Sequence, residues 1–98
     1  MAQIRWTLQA AEDLESITEY IARDSPHYAS LFAIDVVVAV DRLAGFPQLG
    51  RVVPEKADPQ IRELLQGNYR IIYRQIDDVV EILSVYHGSR LLDPDRLS

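Results

Sequence analysis

Apolar residues recur first at every second position, then every three to four, then at every second position again, and these changes of period divide the chain into elements. Residues 3 to 8, QIRWTL, alternate polar and apolar side chains and predict a short strand with Ile4, Trp6 and Leu8 on one face. From Ala10 the period becomes helical, with Leu14, Ile17 and Ile21 completing an apolar stripe and Glu12, Asp13, Glu15 and Glu19 on the wet face. Those acids fall in the first half of the helix, where the positive end of its dipole favours them. A solvated face explains them better than a metal or substrate site.

The segment DSPHYASLFAIDVVVAVDRLAGFP carries two conflicting signals. Val36 to Val38 suit a strand by propensity, whereas Ser25 before Pro26, and Gly45 and Pro47 at the far end, are helix start and stop signals. The end signals predict a helix of about five turns. On a helical wheel Ala29, Phe32, Ala33, Val36, Val37, Val40 and Leu43 share the side that packs inward. The opposite side carries Ser30, Asp35, Asp41 and Arg42, but also Leu31, Ile34 and Val38, an outward apolar stripe. Such a stripe predicts a partner surface, a helix-in-groove contact or a dimer seam, unless a loop or the chain terminus covers it.

After the Pro- and Gly-containing loop FPQLGRVVPEKADP come three further strand candidates, residues 61 to 65, 69 to 76 and 79 to 87. The order of elements predicts an α+β fold: a small antiparallel β-sheet with an N-terminal strand, a two-helix hairpin packed on one face, and three C-terminal hairpin strands. A chain of 98 residues makes one domain, 1–98, with 91–98 a loosely held tail.

Composition narrows the function. There is no cysteine, and the two histidines, His27 and His87, are far apart, so neither a zinc nor a haem spacing exists and no metal or cofactor is expected. The absence of disulfides, of a membrane-spanning apolar run and of a leader after Met1 predicts a cytoplasmic protein with no membrane partner. The net charge of -5 argues against coating nucleic acid by charge alone. Residues 1–50 hold three arginines against seven carboxylates and residues 51–98 hold seven Lys and Arg against eight, so an anion site belongs in the second half.

The candidate chemistry lies in NYRIIYRQIDDVVEILSVYHGSR. With Asp77-Asp78 as a two-residue turn, Arg74 faces Glu81, Ile72 faces Leu83 and Arg70 faces Val85. Arg74 is then explained by a cross-strand ion pair contributing roughly 0.2 to 1 kcal/mol. Arg70 has no carboxylate opposite it, and Leu83 and His87 are its diagonal neighbours, so a guanidinium and an imidazole side by side suggest an anion site. A two-residue Gly67-Asn68 loop adds Glu63 to that face; a three-residue loop puts Arg62 there instead, and the register is open. Glu63, Arg70 and His87 together would make the kit of a metal-free ribonuclease, a base, a phosphate clamp and an acid. A strand-ending His87 and a solvated Glu63 is the plainer alternative.

WTLQAAEDLESITEYIARDSP, then FPQLGR, then IRELLQGNYRIIYRQIDDVVEILSVYHGSR resemble, in that order, the RelE/ParE superfamily of toxins from bacterial type II toxin-antitoxin modules. The resemblance implies an antiparallel sheet carrying a two-helix hairpin, and a cognate antitoxin, so that the chain works as a hetero-oligomer. It also implies one of two targets: ribosome and messenger RNA, cut by RelE-like endonucleases, or DNA gyrase, trapped on cleaved DNA by ParE-like members that are not nucleases. Arg70 matches a third-strand arginine with which nuclease members clamp phosphate, and Tyr86-His87 resembles a Tyr and His pair near the end of some of them. The tail LLDPDRLS has no tyrosine to stack on a base, and the strands lack clustered lysines.

The ParE-like branch is therefore the expectation, a gyrase-binding toxin and not an enzyme. Arg70, Arg74, His87, Arg90 and Arg96 are the target-binding candidates, and Leu31, Ile34 and Val38 the antitoxin or dimer contacts. The alternatives are a ribosome-dependent ribonuclease using Arg70, His87 and Glu63, and a toxin-fold binding module that has lost toxicity.

Overall fold

The computed structural model describes residues 1–88, so Arg90, Arg96 and the tail over 91–98 lie outside the described residues. The chain runs through β1 (Gln3–Trp6), α1 (Leu8–Ala22), α2 (Pro26–Asp41), a 3-10 turn (Arg42–Ala44), β2 (Arg51–Val52), β3 (Ile61–Gln66), β4 (Tyr69–Ile76) and β5 (Val79–His87).

β1 stops at Trp6 because Thr7 caps α1, its hydroxyl accepting from the Ala10 amide at 3.2 Å. Leu8 is thereby the first helical residue and is exposed, so it does not share the strand face of Ile4 and Trp6 as the alternation predicts. Ser25 caps α2 in the same way, accepting from the Tyr28 amide at 3.1 Å with Pro26 at the first turn. Caps and burial override the strand propensity of Val36 to Val38. Val36, Val40 and Leu43 are buried, but Val37 is exposed and joins Leu31, Ile34 and Val38 on the outer side, where the wheel had placed it inward.

The strands form one sheet in the order β1-β5-β4-β3-β2. β2 to β5 pair antiparallel, as expected of hairpins, whereas β1 joins β5 in parallel, with Gln3 opposite Val79 and Trp6 opposite Ile82. The sheet is therefore mixed. Its helical hairpin carries the chain across to the far edge, which leaves β1 beside the last strand. α1 and α2 cover one face, where Ala10, Val36, Val40 and Leu43 pack on Ile71, Tyr73, Val80 and Ile82. A smaller cluster of Val53, Ile61, Ile72 and Tyr86 sits on the other face.

Two turns set the register. Gly67-Asn68 is a two-residue loop, with Gly67 at φ 58°, so Glu63 lies opposite Ile72. Asp77-Asp78 is also a two-residue turn, and Arg74 faces Glu81 as predicted. Farther along, Tyr73 pairs with Ile82 and Ile72 with Ser84, which leaves Leu83 as an extra residue in β5. Past this bulge Arg70 faces Tyr86, not Val85. The bulge has a partner on α1: Asp13 Oδ2 accepts from Ser84 Oγ at 2.6 Å and from the Val85 amide at 3.0 Å. Asp13 thus pins the helix to the sheet and does not belong to the solvated face.

Tyr73 does similar work for the loop FPQLGR. Its hydroxyl donates to the Pro47 carbonyl at 2.8 Å and accepts from the Gly50 amide at 2.9 Å, and burial pushes this phenol above its ordinary pKa, with the Gly50 amide and the Arg62 charge pulling it partly back. A Cβ on Gly50 would lie 2.4 Å from the Glu63 carbonyl oxygen and 2.8 Å from the Tyr73 ring. Tyr73→Phe leaves a carbonyl and an amide without their partner and is expected to cost about 1–3 kcal/mol in urea unfolding. Gly50→Ala, which needs backbone movement, is expected to lower stability further.

Candidate functional site

The face of the sheet away from the helices carries the charges. Arg5, Glu81 and Arg74 form one chain across β1, β5 and β4: Arg5 pairs with Glu81 Oε2, and Arg74 Nη2 lies 2.6 Å from Glu81 Oε1. The Arg74 hydrogen bond, with Arg5 second, holds the Glu81 carboxyl below the usual carboxylate range. Among the described residues Arg74 Nε is buried with no hydrogen-bond partner.

The second network is deeper. Glu63 on β3 is 1% exposed and Arg70 on β4 is 6% exposed. Arg70 Nε and Nη2 donate to Glu63 Oε1 at 2.9 and 2.5 Å, and Arg51 on β2 holds the other oxygen, Oε2, at 2.8–2.9 Å. The remaining edge of Arg70 meets Glu55, from the loop after β2, with Nη1 to Oε2 at 2.8 Å and Nη2 to Oε1 at 2.9 Å. The hydrogen bonds to Glu55, ahead of those to Glu63, raise the guanidinium above its ordinary pKa against the opposing cost of burial. The β4–β5 pairing predicts no carboxylate opposite Arg70, and the two-residue Gly67-Asn68 loop, one of the two registers left open, brings Glu63 to its face as observed; Glu55 comes from a loop that no strand register could place.

The partnership of Arg70 with His87 also changes. Tyr69 is the residue opposite His87, and their rings meet edge to face at 5.2 Å between centroids. Tyr69 in turn packs on Phe32 of α2 at 4.9 Å, so Tyr69 and His87 belong to the helix side while Arg70, next in the strand, belongs to the other. The bulge at Leu83 is the cause, because it shifts every later residue of β5 by one. His87 is exposed and Tyr86 is buried among Val53, Ile61 and Ile72.

The two sides meet only at the end of the sheet. A recess of about 400 Å³ there is lined by Arg51, Glu55, Asn68, Tyr69, Arg70 and His87, together with Leu65, Gly67 and Gly88. A groove of similar volume runs along α1 past Asp13, Ser16, Ile17 and Tyr20 to Tyr69, Val85, Tyr86 and His87. The third surface is the back of α2, where Leu31, Ile34 and Val38 are 45%, 57% and 48% exposed and no described residue covers them. Tyr28 and Val37 enlarge it. Residues missed by periodicity are Glu55, Arg51 and Asp13; Glu55 and Asp13 act through contacts between elements, and only the acid in RVVPEKADP hinted at the first.

The family model for the ParE toxin of the type II toxin-antitoxin system parDE matches residues 4–92. This chain belongs to the ParE toxin family. It is therefore the toxin component of a type II toxin-antitoxin system, within the RelE/ParE superfamily. Among relatives of this ParE-family toxin, Toxin RelE2 of Caulobacter vibrioides is 38% identical over 92 residues, 93% of this chain and 100% of that protein. Putative toxin Y4kP of Sinorhizobium fredii is 41% identical over 88 residues, 88% of each chain. Among solved structures, the chromosomal ParDE toxin-antitoxin system from P. aeruginosa superposes with a TM-score of 0.74 at 26% identity, covering 89% of this chain and 96% of that one. The RelBE2 complex of Mycobacterium tuberculosis gives a TM-score of 0.62 at 24% identity, over 88% and 96% of the two chains, a likeness of fold. Among the described residues of the ParE-family toxin, no helix is long and apolar enough to cross a membrane.

Two expectations follow for the charged face. Arg70→Ala leaves Glu63 buried with Arg51 alone beside it and is expected to cost about 3–5 kcal/mol of stability. Denaturant unfolding checks this, and a loss of toxicity in that variant would not by itself assign Arg70 to the target. Because the Glu81 pKa is depressed in the folded state, its stabilisation is complete above the unfolded value of about 4.3 and disappears as pH falls through the lower folded value. Glu81→Gln should then flatten the decline of stability below pH 4.3, measured by acid titration of the urea midpoint.

Proposed function

We propose that this toxin acts by binding DNA gyrase, in the manner the ParE-like branch implies, and that its cognate antitoxin takes the exposed side of α2. The observation that carries the reading is the state of the nuclease kit. Glu63, which a ribonuclease would use as base, has a fully buried side chain engaged by two arginines, and Arg70 is engaged by two carboxylates on the face away from His87. A base must reach the proton it abstracts, and a phosphate clamp must present unspent donors. The acidic net charge supports the same reading, since phosphate contacts dominate nucleic-acid affinity.

Leu31, Ile34 and Val38 are the antitoxin contacts in this reading, with Tyr28 and Val37 beside them, because an apolar helix face of this kind fits an amphipathic partner segment. Arg74 and His87 remain target-contact residues at the sheet end and its open face, with Arg90 and Arg96 from beyond the described residues. The second reading is a ribosome-dependent messenger-RNA endonuclease, favoured by the recess where Arg51, Arg70 and His87 converge and by the likeness to Toxin RelE2. Purified protein at micromolar concentration is expected to inhibit gyrase supercoiling and to leave messenger RNA intact in a translating extract. Unchanged supercoiling with cleaved transcripts would replace the first reading with the second. Ile34→Asp should weaken antitoxin capture by at least about tenfold, that is 1.4 kcal/mol, in a direct binding titration.

A further inference from the structure

Asp35 and Arg42 lie on the outward side of α2 and of the 3-10 turn that continues it, one helical turn to either side of Val38 and Ala39, and both are exposed. With Val38, Ala39 and Gln66 of β3 they border a hollow of about 240 Å³. Among the described residues neither enters an ion pair, although Arg5, Arg51, Arg70 and Arg74 all do. Apolar groups continue the strip in both directions. Leu31 and Ile34 are exposed on the N-terminal side, and Phe46, in the turn after the helix, is 70% exposed on the other. A strip with an apolar middle, apolar ends and one charge of each sign at matched distances from the middle is complementary to its own reverse.

We propose that the toxin forms a two-fold homodimer through this strip, with α2 packed antiparallel on the α2 of a second copy and the axis beside Val38 and Ala39. About that axis Asp35 of one copy meets Arg42 of the other, and the symmetry makes the same pair twice. Leu31 falls opposite Phe46, again twice, while Val38 packs against its own counterpart at the centre. A parallel pairing sets Asp35 against Asp35 and Arg42 against Arg42, so the charges select the antiparallel arrangement. A strip one helix long is smaller than the roughly 800 Å² per partner of a standard interface, and a reversible dimer with a Kd on the order of 10 μM is expected. The strip overlaps Leu31, Ile34 and Val38, the residues assigned above to the antitoxin. Dimer and antitoxin complex therefore exclude each other, and the antitoxin binds by opening the dimer. That exclusion rests on the antitoxin reading; the dimer itself does not.

Sedimentation equilibrium of the full chain without antitoxin, from about 1 to about 500 μM, is expected to show a monomer–dimer equilibrium. Asp35→Arg and Arg42→Asp each set like charges across both pairs, and each is expected to weaken self-association at least about tenfold with the circular dichroism spectrum unchanged. An equimolar mixture of the two variants should associate within about threefold of the unsubstituted protein, because each variant supplies the charge that the other has lost. A residue that only supported its own helix would not be rescued by mixing. A chain that stays monomeric over the whole range leaves the strip to the antitoxin alone and overturns the proposal. So does a dimer that neither substitution changes by more than about twofold, or a mixture no stronger than the single variants. Because the toxin is measured alone, these failures are distinct from a failure of Ile34→Asp to weaken antitoxin capture.

Discussion

Glu63 places a carboxylate inside the sheet where water does not reach it, and the neighbouring chain is arranged to answer that one charge. Arg70 must come from the adjacent strand at the position that reaches Oε1, and Arg51 must come from the short edge strand to hold Oε2. The Gly67-Asn68 turn fixes the first of these, because a loop one residue longer would turn Glu63 to the helix side. The β2–β3 pairing fixes the second, with Arg51 directly opposite Glu63. A buried pair of this kind adds little net stability relative to apolar residues, but its penalty for misregister is severe. Its contribution is to make one pairing of β2, β3 and β4 much better than its neighbours.

The other face is organised by ordinary packing, with polar links from Asp13 and Tyr73 among those that join distant elements. Asp13 answers the amide and hydroxyl that the β5 bulge exposes, and Tyr73 gathers the Pro47–Gly50 loop onto the sheet. Both links join elements distant in sequence, and both place a polar atom where an apolar one would leave a backbone group unanswered. The protein thus separates its tasks by face: helices and apolar core on one, ion pairs on the other, and an outward helix side left for a partner.

Much of this was legible in the sequence. The Ser25-Pro26 start, the alternation in β3 to β5 and the Asp77-Asp78 turn are local signals, and each survives in the structure within a residue or so, whereas the length of the Gly67-Asn68 loop was open until the structure gave it as two residues. What was not legible depends on what one element does to another. Val37 sits at the edge of the α2 stripe and is exposed once α2 packs on the sheet. The bulge at Leu83 reflects Asp13 far away in sequence, and it alone moved Arg70 from Val85 to Tyr86. Glu55 lies in a loop, which has no period, so its contact with Arg70 left no trace in the pattern. Arg70 and His87 do line one recess at the end of β4 and β5, but the ion pairs around Arg70 were misread for that reason.

The parallel edge strand also constrains the order of events during synthesis. β1 is synthesised well before β5, yet among the described residues β5 is the strand it pairs with, Gln3 beside Val79 and Arg5 beside Glu81. Contacts of such long sequence separation form late and slowly, because a large loop must close before they give any return. The sheet cannot be completed until the last strand is free, so a chain still being made, or cut short before β5, lacks the finished surface. A copy without β5 leaves β1 with no strand to pair with and the helix-covered face without Val80 and Ile82.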